Sequence, residues 1–139
     1  MKKNCILLVS TVLFSCNDRQ RITRDEIIGK YEHLSTVAPW NGVKNSIELN
    51  IDSTFKHSIS RNDSIIVKEI GIWKYRDDYN LNLITFDSFT NYIQYQTEEM
   101  IKGETSFTVK KLFGGIYLPV IIPYDPDGSP IVPKYKKVK

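Results

Sequence analysis

Residues 47–60 read IELNIDSTFKHSIS, and this stretch decides the fold. Apolar side chains alternate with polar ones on both sides of a turn signal at Asp52-Ser53. The alternate positions are occupied by Ile47, Leu49 and Ile51 before the turn and by Phe55, His57 and Ile59 after it. A period of two places alternate residues on opposite faces of a strand, one face buried and one in water. The stretch therefore predicts two antiparallel strands joined by a tight turn.

The same period continues along most of the chain, with turn signals at short intervals that include Lys102-Gly103 and Gly114-Gly115. Strands are expected near residues 29–36, 45–52, 54–61, 64–76, 79–87, 91–98, 104–113 and 115–122. Serial hairpins of this kind predict an all-β protein: an antiparallel up-and-down meander of about eight strands closed into a barrel, or alternatively a β-sandwich. Because Ile70 and Ile72 differ in parity from Trp73 and Tyr75, we expect a β-bulge near Gly71.

A short helix precedes the strands. Thr23 and Glu26 have the spacing of a capping box, in which each side chain bonds the backbone N–H of the other residue. Gly29 stops the helix soon afterwards, so we expect one or two turns at about residues 24–28.

The chain begins with an export signal. Lys2 and Lys3 precede a mostly apolar run from Cys5 to Phe14. That run is about half the ~20 residues that a membrane-spanning helix needs. The following Leu13-Phe14-Ser15-Cys16 resembles the lipobox of bacterial lipoproteins. This resemblance implies cleavage before Cys16 and attachment of a lipid to its thiol.

Four segments follow from these features. We expect a lipoprotein signal peptide at 1–15, a tether at 16–22, a β domain at 23–124 and a Pro/Lys-rich C-terminal tail at 125–139. Cleavage would remove Lys2 and Lys3 and leave 17 basic residues against 16 acidic ones. Most of the basic excess lies near the two ends, which argues against a nucleic-acid partner. The terminal basic residues either favour an anionic membrane surface or are simply solvated.

Three motifs carry a family resemblance: Gly29-Lys30-Tyr31, the hairpin Ile51-Asp52-Ser53-Thr54-Phe55, and Gly71-Ile72-Trp73. Their order is similar to that of the small lipocalin-like lipoproteins of Gram-negative bacteria. The resemblance covers roughly residues 23–87 and implies a lipocalin-like barrel behind a short N-terminal helix.

The sequence holds no recognisable catalytic motif. There is no nucleophile elbow, phosphate loop or paired-cysteine metal motif, and the chain has only His33 and His57 as histidines. We therefore expect no enzyme activity, no metal and no cofactor. Asp125-Pro126-Asp127-Gly128 is interpreted as a turn and not as a calcium loop, because the twelfth position is Lys136.

Some polar and aromatic residues are expected to point into the barrel and to form a ligand site: Tyr31, His33, His57, Glu69 and Trp73. The alternative is that these groups serve the fold, with Trp73 in the core and the polar groups satisfied by protein partners. The expected function is that of an envelope lipoprotein, anchored through Cys16 in the outer membrane, which binds a small apolar ligand or an envelope partner. The alternative function is a protein-facing inhibitor or assembly factor with a filled core.

Overall fold

The computed structural model describes residues 21–35, 41–78, 81–92, 100–119 and 134–138. A single-turn helix, α1, spans Arg24–Ile27. Nine strands follow: β1 Gly29–Leu34, β2 Val43–Leu49, β3 Thr54–Arg61, β4 Ser64–Asp78, β5 Leu81–Tyr92, β6 Met100–Thr108, β7 Lys110–Leu112, β8 Gly115–Pro119 and β9 Lys134–Val138. The prediction of an all-β antiparallel up-and-down protein with a short N-terminal helix is confirmed. The capping box is also confirmed, with Thr23 N donating to Glu26 Oε2 over 2.8 Å.

All nine strands belong to one sheet, which curls into a half-barrel. Their order across the sheet is β6-β5-β4-β3-β2-β1-β9-β8-β7. The two outermost strands, β6 and β7, follow each other along the chain with only Val109 between them. Val109 N still donates to Asn82 O of β5, and the next residues pair with β8. One continuous chain segment, residues 100–112, therefore supplies both outermost strands of the curled sheet.

The last third of the chain corrects the expected boundaries. The strand expected at 79–87 is longer, since β5 runs from Leu81 to Tyr92, and residues 93–98 of the strand expected at 91–98 lie outside the described residues. Lys102-Gly103 lies inside β6 and is not a turn. The expected tail at 125–139 supplies β9, which pairs with β1 on one side and β8 on the other. Residues 134–138 are therefore part of the sheet.

Some expected features lie outside the described residues. They are the signal peptide at 1–15, the first part of the tether at 16–20, which includes Cys16, and the Asp125 motif within 125–133.

The β-bulges lie elsewhere than at Gly71. The register between β3 and β4 shifts between Ile59 and Ser60, and the register between β5 and β6 shifts between Phe86 and Phe89. At Gly71 the pairing continues unbroken to Ile72. Ile70 and Ile72 differ in parity from Trp73 and Tyr75 without a bulge, because they point outward. They are 70% and 51% exposed.

The core occupies the concave side of the half-barrel. It contains aliphatic side chains from α1, β2, β5 and β8 together with the rings of Tyr31, Phe55, Trp73, Phe86, Phe89, Phe107 and Tyr135. Trp73 is 1% exposed, so its expected place in the core is confirmed. At one end, Ile22 and Ile27 cover this core, and the hydroxyl of Tyr75 donates to Ile22 O over 2.5 Å.

We call the end that Ile22 and Ile27 cover the helix end of the half-barrel. The strand registers place the start of β1, the β2–β3 turn, the β4–β5 connection, the β7–β8 turn and the end of β9 at the helix end. The β3–β4 turn at Asn62-Asp63 lies at the opposite end, which we call the loop end.

Candidate functional site

Four polar side chains form a continuous layer across the inner face of four neighbouring strands. We call this the polar layer; it consists of Asn45 on β2, His57 on β3, Glu69 on β4 and Thr90 on β5. Asn45, His57 and Glu69 share the inward parity of the core residues on their strands, and Thr90, which pairs with the exposed Lys102, reaches the Glu69 carboxylate from β5. The layer separates the main core from a small cluster of Val43 and Ile59, against which Val67 and Met100 pack.

Hydrogen bonds connect every member of the polar layer. His57 Nδ1 lies 2.6 Å from Glu69 Oε1, and His57 Nε2 lies 2.7 Å from Asn45 Oδ1. Glu69 also accepts from the backbone N–H and the hydroxyl of Thr90, over 2.8 and 2.9 Å. At the surface, Lys102 Nζ is 3.3 Å from the same carboxylate. Both ring nitrogens of His57 and both oxygens of Glu69 thus have protein partners.

The environment shifts the pKa values of both ionisable groups. Burial lowers the pKa of His57, and this effect outweighs the opposing attraction of Glu69. Burial raises the pKa of Glu69, but the hydrogen bonds from His57 and Thr90 outweigh it, so the net shift is downward. Glu69 Oε1 accepts from His57 Nδ1–H, while Nε2 donates to Asn45 Oδ1 if the ring is protonated and accepts from the Asn45 NH₂ group, with the amide turned over, if the ring is neutral.

Aromatic rings fill the space beside the polar layer. The side chain of His57 is 0% exposed, and its ring stacks on Phe89 with centroids 4.1 Å apart. Phe89 in turn contacts Phe86 and Phe107 at centroid distances of 4.9 and 5.3 Å. A ligand that reached His57 from the concave side would have to displace these rings.

The other candidate residues lie apart from the polar layer. Tyr31 is fully buried near the helix end and donates to Ile27 O over 2.6 Å; burial raises its pKa. Trp73 Nε1 donates to Asn50 O, and the guanidinium of Arg24 lies 4.8 Å from the ring centroid. His33 is half-buried on β1, with its ring 5.6 Å from that of Tyr135. Of the five expected residues, the structure brings His57 and Glu69 into direct contact.

Sequence reasoning missed two members of the polar layer. Asn45 shares the parity of Ile47 and Leu49 on β2, so its inward position follows from the alternation alone. Thr90 was missed because it falls between the expected strands at 79–87 and 91–98, whereas it lies within β5.

The convex face carries an exposed apolar feature on β4. We call it the isoleucine row: Ile65, Ile66, Ile70 and Ile72, which are 63%, 46%, 70% and 51% exposed. Polar side chains flank it, since Lys56 pairs with Ile70 and Thr54 with Ile72 across β3. Exposed apolar residues rimmed by polar ones are typical of interaction surfaces.

Comparisons with protein-family models, with curated proteins and with solved structures found no match to this chain. Within the described ranges, no group of three or more His, Cys, Asp or Glu side chains is arranged to hold a metal ion. Nor do those ranges contain a helix long and apolar enough to cross a membrane.

Proposed function

We propose that this protein is a lipid-anchored lipoprotein of the bacterial envelope, held in the outer membrane through Cys16, and that it works through its surface as a docking or assembly factor. The observation that carries the docking role is the occupied interior. His57 and Glu69 are two of the polar groups expected to bind a ligand, and their partners are each other, Asn45 and Thr90.

The cost of burying polar groups favours a structural role for the polar layer. A buried polar group without a partner costs about 1–3 kcal/mol, so a binding site keeps such groups open only when a ligand satisfies them. Here the protein satisfies them itself. A small apolar ligand, the first expectation from sequence, would need room that the rings of Phe86, Phe89 and Phe107 occupy.

The isoleucine row supports a protein partner on the convex face. Ile70 and Ile72 contribute nothing to the core, yet two large aliphatic side chains stand side by side in water. Burying an isoleucine side chain against a partner contributes about 1.5–3 kcal/mol. We propose that an envelope protein covers this row.

Site-specific photo-crosslinking in cells tests the partner. A crosslinking residue at position 70 should yield one discrete adduct with an envelope protein, and the same residue at Ser46, on the convex face of β2, should not. Absence of the adduct at 70, or equal adducts at both positions, would contradict the docking role. Native mass spectrometry of the protein from its own membrane should show the acylated chain without a retained small molecule.

Replacement of the cysteine tests the anchor. Cys16→Ser should release the protein from the membrane or stop its processing, because acyl chains contribute about 0.8 kcal/mol per buried CH₂. A Cys5→Ser variant is the matched control and should be processed and anchored as the parent is. A Cys16→Ser protein that remained processed and membrane-bound would overturn the anchoring proposal.

A further inference from the structure

We infer that the helix end of the half-barrel docks on an anionic phospholipid surface, with the apolar tips of its turns among the headgroups. This inference rests on the proposed anchor at Cys16. Three features of the helix end support it: the apolar tips of the turns, the basic side chains around them and the point where the chain enters the domain.

Exposed apolar side chains lie at three connections of the helix end. Ile51 in the β2–β3 turn is 74% exposed, and Leu81 at the start of β5 is 52% exposed. Leu112 and Phe113 at the β7–β8 turn are 42% and 106% exposed. Side chains at turn tips of a folded domain are ordinarily polar, so apolar ones here need a reason outside the fold.

Phe113 is the clearest case, because the fold favours a different residue at its position. Phe113 and Gly114 both have positive φ, of 50° and 76°, in a two-residue hairpin turn. Such turns prefer Asn, Asp or Gly at both positions. The β3–β4 turn follows this preference with Asn62 and Asp63, whose φ values are 49° and 63°. Phe113 therefore occupies a position unfavourable to its backbone while its ring stands in water.

Basic side chains surround these tips. Lys110 on β7 and Lys136 on β9 are both exposed and lie on either side of Tyr117, to which each is paired across the sheet. Arg21 and Arg76 are also exposed at this end. The sequence-based view of the terminal lysines as tail charge is thus corrected, since β9 places Lys136 and Lys137 on the folded surface beside β8.

Carboxylates at the helix end balance part of this positive charge, and β4 ends there with a further acidic residue, Asp78. Glu26 pairs with Lys111 over 2.8 Å, and this contact and the bonds from Thr23 lower its pKa to about 2. Asp77 pairs with Arg21, and Asp52 accepts from the backbone and hydroxyl of Thr54. Asp25 is the exposed acidic residue of α1. An open cleft of about 900 Å³ lies here, lined among others by Phe113, Lys111, Lys136 and Lys137.

The point of chain entry determines which face meets the membrane. Ile22 is 2% exposed and its carbonyl is bound by Tyr75, so the domain holds the chain from this residue onward. Five peptide units separate Cys16 from Arg21, and an extended chain spans at most about 3.6 Å per residue. Arg21 therefore stays within about 18 Å of the Cys16 Cα. A lipid on Cys16 would hold the helix end close to the bilayer.

An environment-sensitive fluorophore on a new cysteine tests this docking in the full-length, processed protein. The parent chain holds only Cys5 and Cys16, so an introduced cysteine is the one free thiol once the signal is removed and Cys16 is acylated. Ile51→Cys reports on the helix end and Ile65→Cys, a similarly exposed isoleucine at the loop end, is its matched control.

In phosphatidylglycerol–phosphatidylethanolamine vesicles, the label at 51 should shift to the blue and be quenched by a lipid-borne quencher. The label at 65 should remain in water. Phe113→Asn suits the turn and should preserve the melting temperature, yet it should lower the ratio of docked to undocked domain on the order of tenfold. Lys110→Gln and Lys136→Gln should each lower that ratio about fivefold, and phosphatidylcholine vesicles should weaken docking likewise.

Intact mass and flotation separate failure of the docking from failure of the anchor. An acylated protein that floats with vesicles while its label at 51 stays in water overturns the docking and leaves the anchor intact. A protein without acyl mass whose label at 51 is still quenched overturns the anchor alone. Equal quenching at 51 and 65 overturns the docking. A blue shift that occurs without vesicles and grows with protein concentration also overturns it, and assigns this face to a second copy of the chain.

Discussion

At the scale of single residues, Trp73 contributes to stability in several ways at once. It is buried, its indole N–H bonds Asn50 O, and Arg24 lies over its ring. Trp73→Ala should therefore cost about 3–5 kcal/mol of unfolding free energy and lower the melting temperature by roughly 10 °C or more. Chemical and thermal unfolding followed by circular dichroism measure this. Phe113→Ala, at a fully exposed ring, should leave stability unchanged; equal losses in the two variants would contradict the assignment of Trp73 to the core.

His57 makes stability depend on pH. Its pKa in the folded state is below its ordinary value because the ring is buried, so the unfolded chain binds the proton more tightly. Its contribution to stability is complete above the unfolded pKa of about 6.5 and is lost as pH falls towards the folded pKa. Unfolding free energy should thus decline from about pH 7.5 to about pH 5.5, and His57→Gln should reduce this slope. A parent protein that gains stability as the pH falls from about 7.5 to about 5.5 would show that the ring is protonated in the folded state.

At the scale of elements, the close approach of β3, β4 and β5 depends on Gly71. A Cβ at this position would lie 2.5 Å from Phe55 Cε1 and 2.6 Å from Asp87 Oδ1, the atom that accepts from Ile72 N. Gly71→Ala should therefore destabilise the protein by about 1–3 kcal/mol, as overpacking typically does. Gly103→Ala is the control, since a Cβ there would meet no described atom within 4 Å. Equal unfolding midpoints for the two variants would contradict this account of the close approach at β4.

At the scale of the whole molecule, β9 is required for the continuity of the sheet. It lies between β1 and β8, and Tyr135 places its ring against Phe107 with centroids 6.1 Å apart. Removal of residues 134–139 should leave two unpaired edges and give an unfolded or aggregated protein. Tyr135→Ala should cost about 3–5 kcal/mol, whereas Lys136→Ala, at an exposed position, should cost less than about 0.5 kcal/mol. A truncated protein that folds and melts as the parent does would restore the interpretation of this segment as a tail.

The local structure of this protein follows from its sequence. The alternation in residues 47–60, the Thr23–Glu26 capping box and the buried position of Trp73 are all visible in the chain, because strand faces and helix caps depend on near neighbours. His57 and Glu69 were predicted to face inward for the same reason, and the registers of β3 and β4 make them partners. Only their contact distances and their partners Asn45 and Thr90 required the fold.

The tertiary structure alone decided the features that depend on residues far apart in the chain. Alternation cannot show that Lys134–Val138 insert between β1 and β8, because pairing over a separation of about a hundred residues leaves no local pattern. It also cannot distinguish the outward Ile70 and Ile72 from core residues, since both faces of β4 carry apolar side chains. The helix end is the same kind of feature: Ile51, Leu81 and Phe113 are distant in sequence, and the curl of the sheet places their turns at one end.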